Sequence, residues 1–342
     1  MSLFSRHSLL YQTAYSELKQ AVLEQPRFLV GTPGSVGERV VKGQRFLYRQ
    51  FYDATGRKSA TYLGPVADAE AEARASAARE AIATTNARIR ETRELVRAGY
   101  ARADSSTGAV AAVVANHGLF RAGAAIVGSH AYGALLNELG VKAAPYATLD
   151  LDLARGERLP ALELSFADIL AESTLPLRAV PSFDPRVPST SYKVAGADRF
   201  RVDLLVPGRG MEITTVAVPE LQAHATALPF LGALLDRPMD SVLLVREGAI
   251  HVRVPRPEAF AWHKMLLSQL RAESRDKQGK DLRQAAVIFA ALAEDAPDAL
   301  ADAFAALPRG ARGRTRRGAA YVMSLLEANG HPRAAGVLRE YA

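Results

Sequence analysis

The spacing of apolar and polar positions divides the chain into stretches of different period. Residues 1–25 carry apolar positions at helical spacing and predict a helix. Arg6, Glu17 and Lys19 break up the apolar core that a signal peptide would need. Beyond it the period shortens to two. "RFLYRQFY" and "KSATYLG", joined by the turn signal "DATGR", predict a β-hairpin. Residues 66–99 are rich in Ala, Glu and Arg and free of proline, which predicts one long helix or two in series. "STGAVAAVVANHGLF" predicts another helix, and "AAIVGSHAYGALLNELGV" a short apolar strand, a tight Gly-Ser turn and a helix. "ATLDLDLA" and "RFRVDLLVP" read as strands, and "SVLLVREGAIHVRVP" as a hairpin turning at Glu247-Gly248. From Pro257 the pattern is helical almost to the end, with "RGARGRTRRG" as a basic loop or helix start. No repeat of solenoid period is present. The expected organisation is an N-terminal helix, hairpin and long helix over 1–100, a central unit over 101–256, and a helical region over 257–342.

Composition narrows the classes. A chain of 342 residues has length for about two domains. Its 49% hydrophobic and 23% charged residues are those of a globular protein, not a disordered one. With no cysteine, disulfide frameworks and thiolate-bound zinc are excluded, and a reducing cytoplasm is the expected location. The nearest approach to a membrane span, "STGAVAAVVANHGLFRAGAAIVG", is interrupted by His117 and Arg121, so no membrane partner is expected. A net charge of +7 suits phosphate-bearing partners such as nucleic acid, and equally suits a mildly basic protein with no such partner.

The predicted hairpin interleaves basic residues (Arg45, Arg49, Arg57, Lys58) with aromatic ones (Phe46, Tyr48, Phe51, Tyr52, Tyr62). In its first strand Phe46, Tyr48 and Tyr52 share one face, and Arg45 and Arg49 the other. Such a surface could grip a nucleic-acid backbone and stack bases. The same alternation describes any hairpin with one face on the core and one in water.

Asp150 and Asp152 raise a sharper question. Strand alternation sends both to one face, with Leu149, Leu151 and Leu153 toward the core. Two carboxylates so close repel, unless one is protonated or a cation lies between them. A hard divalent ion such as Mg²⁺ (or Mn²⁺) answers that need with oxygen ligands. Asp203 is a third lone acid in a strand-like apolar run. Three acids from two strands can hold two metals about 3.5–4 Å apart, as nucleotidyl transfer requires. Solvent-facing acids at strand ends are the rival reading. Upstream, Gly128-Ser129 joins a strand to a helix. There glycine lets backbone approach a phosphate, the serine hydroxyl donates, and the helix start favours negative charge. An ordinary strand-to-helix turn would look the same, and no Walker-type loop is present.

Taken in order, Gly128-Ser129, Asp150-x-Asp152 and Asp203 resemble the DNA polymerase β-like nucleotidyltransferase superfamily. The likeness is nearest to a bacterial group of predicted nucleotidyltransferases, through "VGSHAYGALLNELGV", "ATLDLDLA", "PSTSYKV", "FRVDLLVPGRG" and "VPRPEAFAWHKMLLSQLRAESRDKQGKDLRQA". It implies an α+β fold, a small mixed sheet with helices, and an NTP substrate. Asp150, Asp152 and Asp203 would be the catalytic and metal-holding acids, with Gly128 and Ser129 on the triphosphate. The C-terminal stretch is also similar to abortive-infection and toxin nucleotidyltransferases, which would bring an antitoxin partner. That branch has a lysine, an arginine about two helical turns on, and a final acid. Lys264, Arg271 and Asp281 match it, with Lys264 and Arg271 on one helix face toward phosphates and Lys277 and Lys280 as further phosphate contacts. The toxin branch often places arginine soon after Gly-Ser, where this chain has His130, Ala131 and Tyr132. His130 and His263 read as structural, and Trp262 as a core residue. Ser189, Thr190, Ser191 and Lys193 could touch sugar or phosphate, or form a polar loop.

The expected function is metal-dependent transfer of NMP from an NTP to a hydroxyl, with RNA such as tRNA the acceptor that fits the basic charge. A protein or small-molecule acceptor, or a non-catalytic nucleic-acid-binding module, are the alternatives.

Overall fold

A computed structural model describes residues 2–25, 27–144, 148–160, 164–182, 184–196, 199–271 and 274–342. In chain order the elements begin with β1 (Phe4–Arg6), α1 (Leu9–Leu23), β2 (Ser35–Val41), β3 (Gln44–Tyr52), β4 (Lys58–Pro65) and α2 (Ala69–Ala98). The central part holds α3 (Ser105–Asn116), β5 (Ala124–Val127), α4 (Gly128–Glu138), β6 (Val141–Ala143), β7 (Asp150–Arg155), α5 (Phe166–Ala171), β8 (Leu177–Ala179), β9 (Ser191–Val194) and β10 (Arg201–Pro207). Then come β11 (Thr214–Val218), β12 (Ala223–Leu228), α6 (Leu231–Leu234), β13 (Met239–Val245) and β14 (Gly248–Val254). Helices α7 (Pro257–Leu270), α8 (Arg275–Asp295), α9 (Pro297–Ala306), α10 (Arg309–Ala328) and α11 (Pro332–Arg339) finish the described chain.

The architecture is α+β, as expected, around a mixed sheet. Its order is β11-β12-β10-β7-β5, with β9 also on β10 and β8 on β9. Strand β10 is the hub. It runs parallel to β7 on one edge; on the other it pairs antiparallel with β9 and, further along, parallel with β12. Leu151, Leu153, Val202 and Leu204 point from β7 and β10 into an apolar core that reaches through α7 and α8 to Leu338. Trp262 is fully buried there and its indole Nε1–H donates to the Leu300 carbonyl at 2.9 Å, so the core reading of this residue holds.

The predicted long helix is one element of 30 residues. Asp68 caps it by accepting from the Glu70 amide, Glu70 and Glu72 sit in its positive first turn, and Gly99 ends it at φ +103°.

Four local expectations are corrected. The first 25 residues are not one helix: Phe4–Arg6 form a strand antiparallel to Val141–Ala143, and Arg6 reaches Glu294 and Asp295. The hairpin is two strands of a three-stranded sheet, because Ser35–Val41 pairs with its first strand. Valine and glycine there were too sparse a signal for a strand. The β13–β14 turn falls at Arg246-Glu247, one residue early. "RGARGRTRRG" is the helix start of its two readings: it opens α10, with Gly318 buried against α7, where an added Cβ would lie 2.2 Å from the Met265 carbonyl oxygen. The glycine that suggested a loop instead permits a close helix crossing. Ala147, where the β7 strand was expected to begin, lies outside the described residues. Leu149 precedes β7 and is exposed rather than in the core.

Candidate active site

Register brings the acids together. In the parallel β7–β10 pair, Asp203 stands opposite Asp152, and Arg201 opposite Asp150. Partners across a ladder share a face, so all four side chains leave the sheet on the side away from Leu151 and Val202. The antiparallel β5–β7 pair sets Val127 opposite Asp152, which delivers the next residue, Gly128, to the same spot. Gly128 has φ +69°, and a Cβ there would lie 2.2 Å from Asp152 Oδ2. Only glycine allows this approach. Gly128→Ala is therefore expected to displace Asp152 and to cost about 1–3 kcal/mol in backbone strain alone. Thermal unfolding and nucleotide titration check this; unchanged nucleotide affinity would mean the close approach does not set the site.

Gly128, Ser129, Asp150, Asp152, Asp203, Lys264, Arg271, Lys277, Lys280 and Asp281 all line one cleft, open to solvent, with about 1880 Å³ of empty space. Asp150, Asp152 and Asp203 come from the sheet; Lys264 comes from α7, Arg271 follows its last residue, and Lys277, Lys280 and Asp281 come from α8. Apolar side chains complete the wall, among them Leu205, Met211, Ile213 and Leu267.

Electrostatics differ across the cleft. The Asp152 carboxyl is pushed up to about 6, mainly by burial and then by Asp203, with Lys264 pulling the other way. Asp203 is engaged by its strand neighbour: Arg201 Nε donates to both of its oxygens, at 2.7 and 2.9 Å, and Ser191 Oγ also donates to it. Asp203 in turn holds the Arg201 guanidinium above its ordinary value. Arg201 was missed in the sequence, although alternation puts residue 201 on the face of residue 203.

Opposite, Lys264 is buried and its ammonium donates to Asp281 Oδ1 at 2.6 Å, while Arg271 donates to Oδ2 at 3.2 Å. Burial holds Lys264 below its ordinary value against the pull of Asp281. His263 is driven to about 3, first by burial and then by Lys264 and Arg271, so its ring is neutral. His130 is buried beside the Thr107 hydroxyl at 3.2 Å, and burial lowers it too. Ser189 Oγ donates to the Ser191 carbonyl and Thr190 receives a bond from Thr226, so these hydroxyls serve the loop.

The donor set suits a hard divalent ion: carboxylate oxygens on one face, with Asp152 desolvated among like charges and no hydrogen bond to its carboxylate among the described residues. As the side chains stand, no group of three Asp, Glu, His or Cys among the described residues is arranged to hold a metal. Asp203 faces Arg201 and would have to release it. Among those residues no helix is long and apolar enough to cross a membrane.

No curated protein matches the chain. A crystal structure of an antigenic nucleotidyltransferase-like protein from Paracoccidioides brasiliensis is similar at 16% identity and a TM-score of 0.35, covering 68% of this chain and 92% of that one. A family profile described as nucleotidyltransferase matches residues 105–308. That span is more than half the chain and includes every acid and cation of the cleft, and on it the chain belongs to the nucleotidyltransferase family.

Proposed function

We propose that the chain transfers a nucleoside monophosphate from an NTP to a hydroxyl of RNA, such as a tRNA end. The observation that carries this reading is the facing of Asp150, Asp152 and Asp203 against Arg271, Lys277 and Lys280 across one cleft beside Gly128-Ser129. Asp150, Asp152 and Asp203 would hold Mg²⁺ or Mn²⁺, which when bound supplies positive charge to the triphosphate and the acceptor oxygen. The Gly128 and Ser129 backbone and the Ser129 hydroxyl orient the phosphates at the start of α4. The acceptor oxygen forms a bond to the α-phosphorus as the bond to the β-phosphate oxygen breaks. Pyrophosphate leaves with that electron pair, and the acceptor proton passes to a carboxylate oxygen of Asp203.

Lys264 already meets Asp281. Arg271 meets the same carboxylate, and together with Lys277 and Lys280 on that wall of the cleft it supplies positive charge that stabilises the departing pyrophosphate. RNA is favoured as acceptor by the net charge of +7 and by exposed basic residues on the N-terminal sheet.

The test is transfer of label from each α-³²P NTP, with Mg²⁺, into total RNA and into protein, with Asp150→Asn as control. Label in RNA that the variant does not add is the expected result. Label in protein alone would move the acceptor, and equal label from the variant would remove the acids from the chemistry.

A further inference from the structure

The three-stranded sheet carries a surface that the cleft does not use. Its inner face, with Leu47 and Leu63, packs on Ala71 and Ala75 of α2. Arg49 is on that side as well. Its guanidinium stacks on Phe51 at 4.2 Å and donates to the carbonyls of Val30, Thr32 and Pro33, so it is a buried structural residue and not a grip for nucleic acid. Arg45 pairs with Glu38.

The outer face is different. Register places Arg39 opposite Phe46, Tyr48 opposite Tyr62, and Tyr52 opposite Lys58. The Phe46 and Tyr48 rings lie 5.8 and 5.4 Å from Tyr62, and the Arg39 guanidinium lies over Tyr48 at 5.2 Å. Tyr62 is 54% exposed and Tyr52 48%, an unusual exposure for rings gathered in this way. The remaining positions of this face, Ser35, Gly37, Val41, Gln44, Gln50 and Ala60, include no acid. Exposed basic residues, Lys42 and Arg57, stand at the two turns that end the face.

We infer that this face binds single-stranded RNA, with a base stacked on Tyr62, whose ring Tyr48 supports, and the backbone held by Arg39 and Lys58. The exposed ring of Tyr62 accepts a splayed base, which a duplex keeps stacked inside, and half-buried Tyr48, with Arg39 over its face, backs that ring edge-on. On this face the strands carry Arg39 and Lys58 and no carboxylate, and Asp53, in the same turn as Arg57, is taken up by Thr55 and the Arg57 amide; such a face is complementary to a phosphodiester chain. The inference extends the RNA-acceptor reading by giving the acceptor a second hold, and it rests on that reading for its biological role only.

Binding is measured without NTP, by fluorescence anisotropy of a labelled 12-mer oligouridylate and of an RNA duplex, on the full chain. The wild type is expected to prefer the single strand. Tyr48→Ala/Tyr62→Ala should weaken single-strand binding about tenfold or more, while Tyr48→Phe/Tyr62→Phe, which keeps the stacking surface, retains it. Arg39→Gln/Lys58→Gln should weaken binding and lower the salt slope by about 1.4, the value for two phosphate contacts on a single strand. Unchanged affinity in the Ala variant, with its fold intact by circular dichroism, overturns the inference. So does a change confined to oligomeric state, which would make the face a protein contact. Asp150→Asn is expected to bind the oligonucleotide normally. If label transfer to RNA fails while the Tyr variants still lose binding, the catalytic reading fails and this one stands; the converse pair of results sinks this one alone.

Discussion

Asp152→Asn is expected to abolish nucleotide transfer and to stabilise the metal-free protein. The loss of turnover is expected to be on the order of 10³-fold or more, because Asp152 is the acid between Asp150 and Asp203 that would hold the metal, and the charge stabilisation a metal gives the transferring phosphate would go with it. The gain in stability follows from the same burial. The folded protein holds the Asp152 proton up to about pH 6, above the ordinary 3.8. Between those values folding takes up a proton, so this group's contribution to stability falls as pH rises from about 4 to about 6. Asparagine carries no charge to desolvate. In EDTA the variant should melt above the wild type at pH 7 and beside it near pH 4. Unaltered turnover would dismiss Asp152 from the site, and an equal melting temperature at pH 7 would mean that its desolvation is relieved in the folded protein.

Asp281→Ala is the second large effect, and it acts through stability. Lys264 would be left as a buried ammonium with no anion at its side, a loss of about 3–5 kcal/mol. The deficit should shrink as pH rises. An unpaired buried lysine has a folded value below its unfolded one, so the unfolded chain binds more protons and alkali favours the folded state. The paired replacement Lys264→Met/Asp281→Leu should recover most of the loss, since apolar residues of similar volume commonly match a buried ion pair. Denaturant unfolding across pH 6–10 measures both. A double variant as unstable as the single one would show that the pair does more than neutralise itself, for instance by fixing Arg271.

Much of the cleft was legible in the sequence. Period two over "LDLDLA" and "RVDLLV" fixed which side chains share a face, and glycine at 128 signalled a close approach. The sequence did not contain the register of β7 on β10, which depends on pairing between residues some fifty positions apart. It therefore could not place Arg201 on Asp203, or Lys264 on Asp281. Charge type was readable there, while the choice of partner was set by packing of α7 on α8. Arg49 taught the same lesson in the N-terminal sheet: alternation gave its face correctly, but the face was the one covered by the chain at 30–33.

The contact between Arg6 and Asp295 sets an order of assembly in time. The two residues are 289 positions apart. At about 5–20 residues per second the ribosome needs roughly 15–60 s to travel between them. For about the second half of that interval, once Val141–Ala143 are made, the first strand can pair with them but has nothing to meet from α8. The acids at 150–203 are likewise made before the cations at 264–280 that face them. A nascent chain can fold its sheet and still lack the helical wall of the cleft that faces it, so whatever activity the cleft has begins only once α8 has been made.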